Sequence, residues 1–259
     1  MSYKESVNIT AVERALKVME TIYRNDREMG IKEIAVSMDE HQSTIYRVVS
    51  TLVASGYLYQ NEQSSKYGLG YKPYLLGRHV EKQSALIQAV KPYADKVADE
   101  FGETVNVAIR DRSKKDGYYA ITIYQARGNN RTLGVSEAIG RSYECYTNSI
   151  GKVLMAYSDD LDFDLLRKID LIKYTEYTIT EYSDFVHELE NIRRNGYGID
   201  NQEREIGLFC VSCPVLDFEG NAVAALSVSG FENSVKSHGV ENIIRSLKDA
   251  CTNLGKLVI

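Results

Sequence analysis

The sequence predicts an α+β protein in two parts, and three observations carry that reading. Residues 10–53 place apolar side chains three and four apart, the period of amphipathic helices. Beyond Gly102 the period switches to two, the mark of strands. The chain has 259 residues, 44% of them hydrophobic and 26% charged, with 3 Pro. That is too apolar for disorder and long enough for two ordinary domains.

Val12, Ala15, Leu16, Met19, Ile22 and Tyr23 lay one apolar stripe along a helix over residues 10–25. After Gly30 a short helix runs from Ile31 to Met38 and breaks at Asp39-Glu40. A third periodic run, Ile45, Val48, Val49, Leu52 and Val53, ends at Gly56, a fitting helix stop. Tyr57-Leu58-Tyr59-Gln60 and Lys66-Tyr67-Gly68-Leu69 flank a polar turn and read as a hairpin with Lys66 near its tip. From Pro73 to Phe101 the pattern is helical again, with Pro92 expected to kink or restart it. Strands are expected at residues 105–109 and 119–124, at Leu133 to Glu137, at Leu208 to Leu216 and at Ala222 to Gly230. The last two pair antiparallel across the turn-rich residues 217–221. Helical patterns at residues 149–157, 163–169, 185–195 and 240–254 interrupt the strands irregularly, which favours a sheet with helices on a face over a doubly wound fold. The expected division is a winged helix-turn-helix domain over residues 1–72, a helical linker over 73–101 and a sheet domain over 102–259.

The formal charge of −5 excludes a uniformly basic protein, but residues 41–80 carry Arg47, Lys66, Lys72 and Arg78 against Glu62 alone. No apolar run approaches the ~20 residues of a membrane span, and the start lacks a signal-peptide core, so a cytoplasmic protein without a membrane partner is expected. The four cysteines (145, 210, 213 and 251) are too sparse for a disulfide framework. Cys210-x-x-Cys213 has no second Cys/His pair at zinc spacing, and on a strand its two sulfurs point to opposite faces, so no metal site is expected. His41, His79, His187 and His238 are scattered, with no nucleophile–base grouping, so neither catalytic residues nor a cofactor are expected. The 19 Tyr without Trp suggest amphipathic packing and interface surface more than a site.

At 100° per residue the third helix turns Ile45, Val48, Val49 and Leu52 to one side and Ser43, Arg47 and Ser50 to the other, flanked by Thr44 and Tyr46. A short-chained polar face of this kind fits a DNA major groove, where Arg reads guanine edges and Gln42, Ser43 and Thr44 reach bases or phosphates. The preceding helix and the following hairpin make the order that of a winged helix-turn-helix. Gln42, Ser43, Thr44, Tyr46, Arg47 and Lys66 are the candidate DNA-binding residues.

In the sheet domain, Leu208, Cys210 and Ser212 share one strand face, and Ala225, Ser227 and Ser229 share another, opposite Leu226 and Val228. Small polar side chains on such a face line either an exposed sheet surface or a cavity for a small polar ligand.

Thr10-Ala11-Val12-Glu13-Arg14-Ala15-Leu16, Ser43-Thr44-Ile45-Tyr46-Arg47, Ser55-Gly56-Tyr57-Leu58 and Tyr67-Gly68-Leu69-Gly70 resemble the amino-terminal domain of IclR-type (isocitrate lyase regulator) transcription factors. Gly151-Lys152-Val153-Leu154-Met155-Ala156, Arg194-Asn195-Gly196-Tyr197-Gly198-Ile199-Asp200, the run from Glu205 to Val215 and the run from Ala224 to Gly230 resemble that family's effector domain. The resemblance spans roughly residues 8–255. It implies a GAF-like effector domain, a homodimer or homotetramer, a double-stranded DNA operator, and repression or activation, repression being the more expected, under a small carboxylate or sugar-acid effector. By motif match it places effector contacts at Ser149, Ile150, Gly151, Asp200, Leu208, Cys210, Ser227 and Ser229, with the free N–H groups of a helix start at Ser149-Ile150-Gly151 suited to a carboxylate. Where the family commonly has Pro-x-His-x-Thr-Ala-x-Gly-Lys, this chain has Glu144-Cys145-Tyr146-Thr147-Asn148-Ser149-Ile150-Gly151-Lys152, so no particular ligand carries over; Asn148 and Ser149 tilt the expectation toward a hydroxylated one. The reading from another class is a small-molecule enzyme on residues 102–259 with Cys145 or Cys210 as nucleophile.

Overall fold

The computed structural model describes residues 9–114, 116–128 and 139–257. The strand expected at Leu133 to Glu137 lies outside them. The chain forms two compact units, Met1–Gln83 and Ser84–Ile259.

In the first unit, α1 (Thr10–Asn25), α2 (Ile31–Met38) and α3 (Gln42–Ala54) precede a hairpin of β1 (Leu58–Gln60) and β2 (Tyr67–Leu69), and α4 (Tyr71–Gln83) follows. The apolar stripes meet in one core: Val18 and Ile22 of α1, Ile34 and Ala35 of α2, and Ile45, Val49 and Leu52 of α3, closed by Leu58 and Tyr67. Asp39 takes a left-handed conformation (φ 51°) at the end of α2, and the Arg14 guanidinium bonds Glu40 at 2.6 Å, which ties the turn between α2 and α3 to α1. The hairpin is anchored from below. Met29 and Tyr67 exchange backbone hydrogen bonds of 3.0 and 2.9 Å, and the Glu28 carboxylate accepts from Tyr59, Asn61 and Ser64. Those bonds, Asn61 foremost, hold the Glu28 carboxyl below its usual range.

The second unit begins with α5 (Ala85–Phe101), then β3 (Thr104–Arg110), β4 (Tyr119–Arg127), β5 (Ser142–Glu144), a 3₁₀ turn at Cys145–Thr147, α6 (Ser149–Ala156), α7 (Phe163–Leu166), α8 (Tyr182–Asn195), β6 (Gly198–Asn201), β7 (Leu208–Leu216), β8 (Ala222–Phe231), α9 (Glu232–Ser237) and α10 (Val240–Gly255). The strands form one antiparallel sheet in the order β5-β4-β3-β8-β7-β6. α5 and α10 cover one face, over Val105, Val107, Phe209, Val211, Cys213, Val215, Leu226 and Val228. α6 covers the other, with α8 packed against α6, and the apolar cluster there includes Ala108, Ala225, Val153, Leu154 and Phe185.

This corrects the linker reading of residues 73–101. The helix breaks not at Pro92, which sits inside α5, but at Ser84, whose side chain caps α5 by accepting from the Ile87 amide at 3.2 Å. Within α5, Val90 and Ala94 have no exposure and Val97 has 2%, so α5 is a core helix of the second unit. The apolar stripe read as part of a helical linker is, over α5, the inner face of a packed helix.

Gly151 is fixed by close approach. A Cβ there would stand 2.4 Å from the Cα and 2.5 Å from the carbonyl oxygen of Cys145, both backbone atoms that cannot turn aside. In an open helix Gly→Ala stabilises by about 1 kcal/mol, whereas overpacking costs about 1–3 kcal/mol. Gly151→Ala is therefore expected to destabilise the protein, reversing the usual sign, as read from the denaturation midpoint in urea.

Candidate functional site

The outer face of α3 takes the disposition its period dictates. Ile45 and Val49 are buried, Gln42, Ser43, Tyr46, Arg47 and Ser50 are exposed, and Thr44 is half-buried. Thr44, Arg47 and Thr51 edge a cleft of about 440 Å³ against α1, floored by Ala11, Ala15, Val48 and Leu52, with Arg14 on the far rim. Five of the six candidate DNA-facing residues thus lie together in the first two turns of α3. Lys66, expected near the hairpin tip, stands there, directly after the turn and ahead of β2, and its ammonium is 3.4 Å from Glu33. Glu33 also accepts from the Gly30 amide at 2.7 Å, a bond that, ahead of Arg27 and Lys66, lowers its carboxyl to about 2. Lys66 therefore steadies the start of α2.

On the α6 side of the second unit's sheet, strand register assembles two polar rows. Gln125, Asn106, Ser227, Ser212 and Gly198 stand abreast across β4, β3, β8, β7 and β6; Arg127, Thr104, Ser229, Cys210 and Asp200 form the row beside it. The expected same-face pairs, Cys210 with Ser212 and Ser227 with Ser229, are both on this face, and Cys213 is in the opposite core. Asn106 is 1% exposed, Asp200 and Ser212 have no exposure, and Ser227 and Ser229 have 2% each. Hydrogen bonds link them. Gln125 Nε2 donates to Asn106 Oδ1 (2.9 Å), Asn106 Nδ2 to Ser229 Oγ (3.4 Å), and Ser227 and Ser229 share a bond of 2.9 Å. Such pairing is what makes burying these groups tolerable.

The start of α6 rests on this floor. Ser149 Oγ lies 2.6 Å from Ser212 Oγ, and Gly198 has no side chain where Val153 and the Ser149 carbonyl press in. Asn148 caps the helix, its Oδ1 accepting the Gly151 amide at 2.7 Å, so of the three helix-start amides one is already engaged within the chain. Ser149, Ile150, Gly151, Asp200, Cys210, Ser227 and Ser229 are all buried, while Leu208 is half-exposed at the strand's beginning.

Sequence reasoning missed the charges beneath. Lys152, 1% exposed, donates to Glu203 at 2.6 Å and to Glu188 at 3.0 Å. Burial opposes its charge, but the two carboxylates prevail and hold its pKa above the usual range. Glu203 is raised by burial despite Lys152, and its backbone amide donates to Asp200 Oδ1 at 2.8 Å. Asn106, Gln125 and Ser212 were also missed as site residues. Asn106 was visible as the polar member of an alternating strand, but alternation alone does not say that both faces are covered.

All four cysteines are buried, and none is in a disulfide. Burial pushes the Cys145 thiol up to about 12, the opposite of what a nucleophilic thiolate needs. Among the described residues no cluster of His, Cys, Asp and Glu is placed to hold a metal, and no helix is long and apolar enough to cross a membrane.

Two family models cover the chain: the IclR helix-turn-helix domain over residues 11–62 and the bacterial transcriptional regulator IclR C-terminal domain over residues 78–255. The transcriptional regulator KdgR of Escherichia coli K12 is 30% identical across 87% of this chain and 84% of its own length. The transcriptional repressor IclR of the same organism is 26% identical across 97% and 86%. Among solved structures, an IclR-type regulator from Alicyclobacillus acidocaldarius superposes with a TM-score of 0.86 at 23% identity, covering 96% of this chain and 99% of its own. An IclR homologue from Microbacterium hydrocarbonoxydans, solved with 4-hydroxybenzoate, gives 0.79 at 20% identity, covering 95% and 98%. The three reading helices fall under one family model and the entire sheet under the other, and the chain belongs to the IclR family of DNA-binding transcriptional regulators.

Proposed function

We propose that this regulator is a repressor, active in the cytoplasm as a homodimer or a homotetramer built from dimers, that lays Gln42, Ser43, Thr44, Tyr46 and Arg47 in the major groove of its operator and is released or retained by a small carboxylate or sugar acid. It is a sensor and not an enzyme. The observation that carries the ligand half is the pair of buried polar rows under the start of α6, because a sheet face already covered by helices has no need of hydroxyls unless they serve a polar occupant. The amides of Ser149 and Ile150 supply positive dipole ends for a carboxylate, Ser227 and Ser229 supply hydroxyls, and Asp200 accepts from a ligand hydroxyl. The 4-hydroxybenzoate held by the structural neighbour is itself a carboxylate with a hydroxyl, which agrees in chemical class. The repressor sense follows the name of the Escherichia coli relative.

Dimerisation is supported by α4, which buries no residue and exposes Tyr71, Tyr74, Leu75, Leu76 and Val80, each more than half accessible. A stripe of that size invites a second copy. The acidic chain, moreover, brings only a small local basic patch to DNA, so two copies are needed for useful affinity.

Three outcomes are expected. Arg47→Ala weakens operator binding by about 1–3 kcal/mol and relaxes preference at one base pair without shifting the melting temperature; equal affinity across operator variants, by band shift, would turn Arg47 away from the bases. Operator binding occurs two subunits at a time on an approximate palindrome with major-groove contacts one or more turns apart; analytical ultracentrifugation finding a monomer bound tightly to a half-site at physiological salt would defeat this. The double change Ser227→Val with Ser229→Val leaves operator binding intact but removes its response to effector, since each lost hydrogen bond costs about 0.5–1.5 kcal/mol and a ligand shifts the DNA-bound population only by its differential affinity. Calorimetric titration that returns full effector affinity in this variant moves the pocket elsewhere.

A further inference from the structure

Ser149, Asp200, Cys210, Ser227 and Ser229 are all at least 96% buried, so no ligand reaches the polar rows unless a covering segment moves. Among the described residues, three segments lacking long regular structure join one another at this end of the sheet. Residues 142–148 lead into α6, residues 172–180 precede α8, and residues 201–207 follow Asp200 directly.

Arg204 is where the three meet. Its guanidinium donates to Glu144 Oε2 at 2.9 Å and to Thr147 Oγ1 at 3.2 Å, both on the first segment. It lies 5.2 Å from the ring centroid of Tyr143 on that segment and 4.5 Å from that of Tyr174 on the second. Alongside, Thr175 Oγ1 donates to the Gln202 carbonyl at 2.6 Å and Thr178 Oγ1 to the Glu203 carbonyl at 2.5 Å, stitching the second segment to the third. The two ion pairs of this region differ in kind. Lys152 and Glu203 keep 1% and 8% side-chain exposure, and parting them would strand charges in the interior; Arg204 and Glu144 keep 27% and 34%, so water takes over when they part.

We infer that Arg204 is the positioning residue that clasps the effector site shut, and that ligand entry runs through release of its hold on Glu144, Thr147 and the two tyrosines. This rests on the polar rows being the effector site, but its test does not require the effector. The molecule carries its own probes. Cys145 and Cys210 lie on the α6 side of the sheet, and Cys213 and Cys251 lie in the core on the other side.

Full-length protein is treated with N-ethylmaleimide, and the labelling rate of each cysteine is followed by mass spectrometry. Arg204→Met is expected to raise labelling of Cys145 and Cys210 about tenfold, the effect of removing one half-exposed ion pair and two ring contacts, while Cys213 and Cys251 stay at the parent rate. Glu144→Gln should act in the same direction, add little in the double variant, and leave the fold intact if Arg204→Met does not. Arg204→Lys, which keeps the charge but not the planar fork, should fall between. A rise at all four cysteines together would mean that Arg204 stabilises the whole unit rather than a gate, and unchanged labelling at Cys145 and Cys210 would mean that entry lies elsewhere. Either result overturns the clasp and leaves the effector assignment to the serine double variant.

Discussion

Both faces of the second unit's sheet are covered by helices, yet only one of them is apolar throughout; the α6 face is apolar in part and polar across two rows. An antiparallel sheet buried on one side can send its polar residues to water; this one cannot. Every hydroxyl and amide on the α6 side must find a partner inside, and the arrangement of that side follows from the requirement. The two strand rows are in register so that hydroxyls meet hydroxyls, Ser149 is brought down onto Ser212, and Gly198 leaves room for α6 to approach. The buried ammonium of Lys152 is held in the same seam, answered by carboxylates from α8 and from the segment after β6.

The reading domain obeys a simpler rule, and its sequence was correspondingly transparent. Period fixes which side of α3 is buried, and the helix, helix, helix, hairpin order follows from local signals alone. Strand faces were equally legible, because alternation in residues 208–216 and 222–230 sorts Cys210 from Cys213 without any knowledge of neighbours. What did not show was tertiary. α5 has the same stripe whether it spans solvent or plugs a core, and Lys152 and Glu203 are 51 residues apart with nothing local to couple them. β5 and β6, of three and four residues, are too short to display a period, and they owe their strand character to the partners beside them. Lys66 shows what local reading leaves out: its place beside the hairpin turn was legible, but its ion pair with Glu33, over thirty residues earlier, was not.

The two units also differ in how they hold charge. In the first, ion pairs lie at the surface and fix turns: Arg14 with Glu40 beside the turn before α3, Arg27 and Lys66 with Glu33 at the start of α2. Each is worth little alone, and their use is geometric. In the second, the ion cluster is internal, where removing one member exposes the others to a medium that solvates charge poorly.

The hydroxyl-lined floor has a consequence for how such a domain evolves. Replacing its serines with aliphatic side chains of similar size would relieve the interior of groups that must be hydrogen-bonded to be tolerated, and selection for robustness alone would drift that way. On the effector role proposed above, a sensor is kept below the stability its backbone allows, and the serines persist only while there is something to detect. When a regulator of this architecture loses its signal, the floor of this seam is where its sequence should first turn to grease.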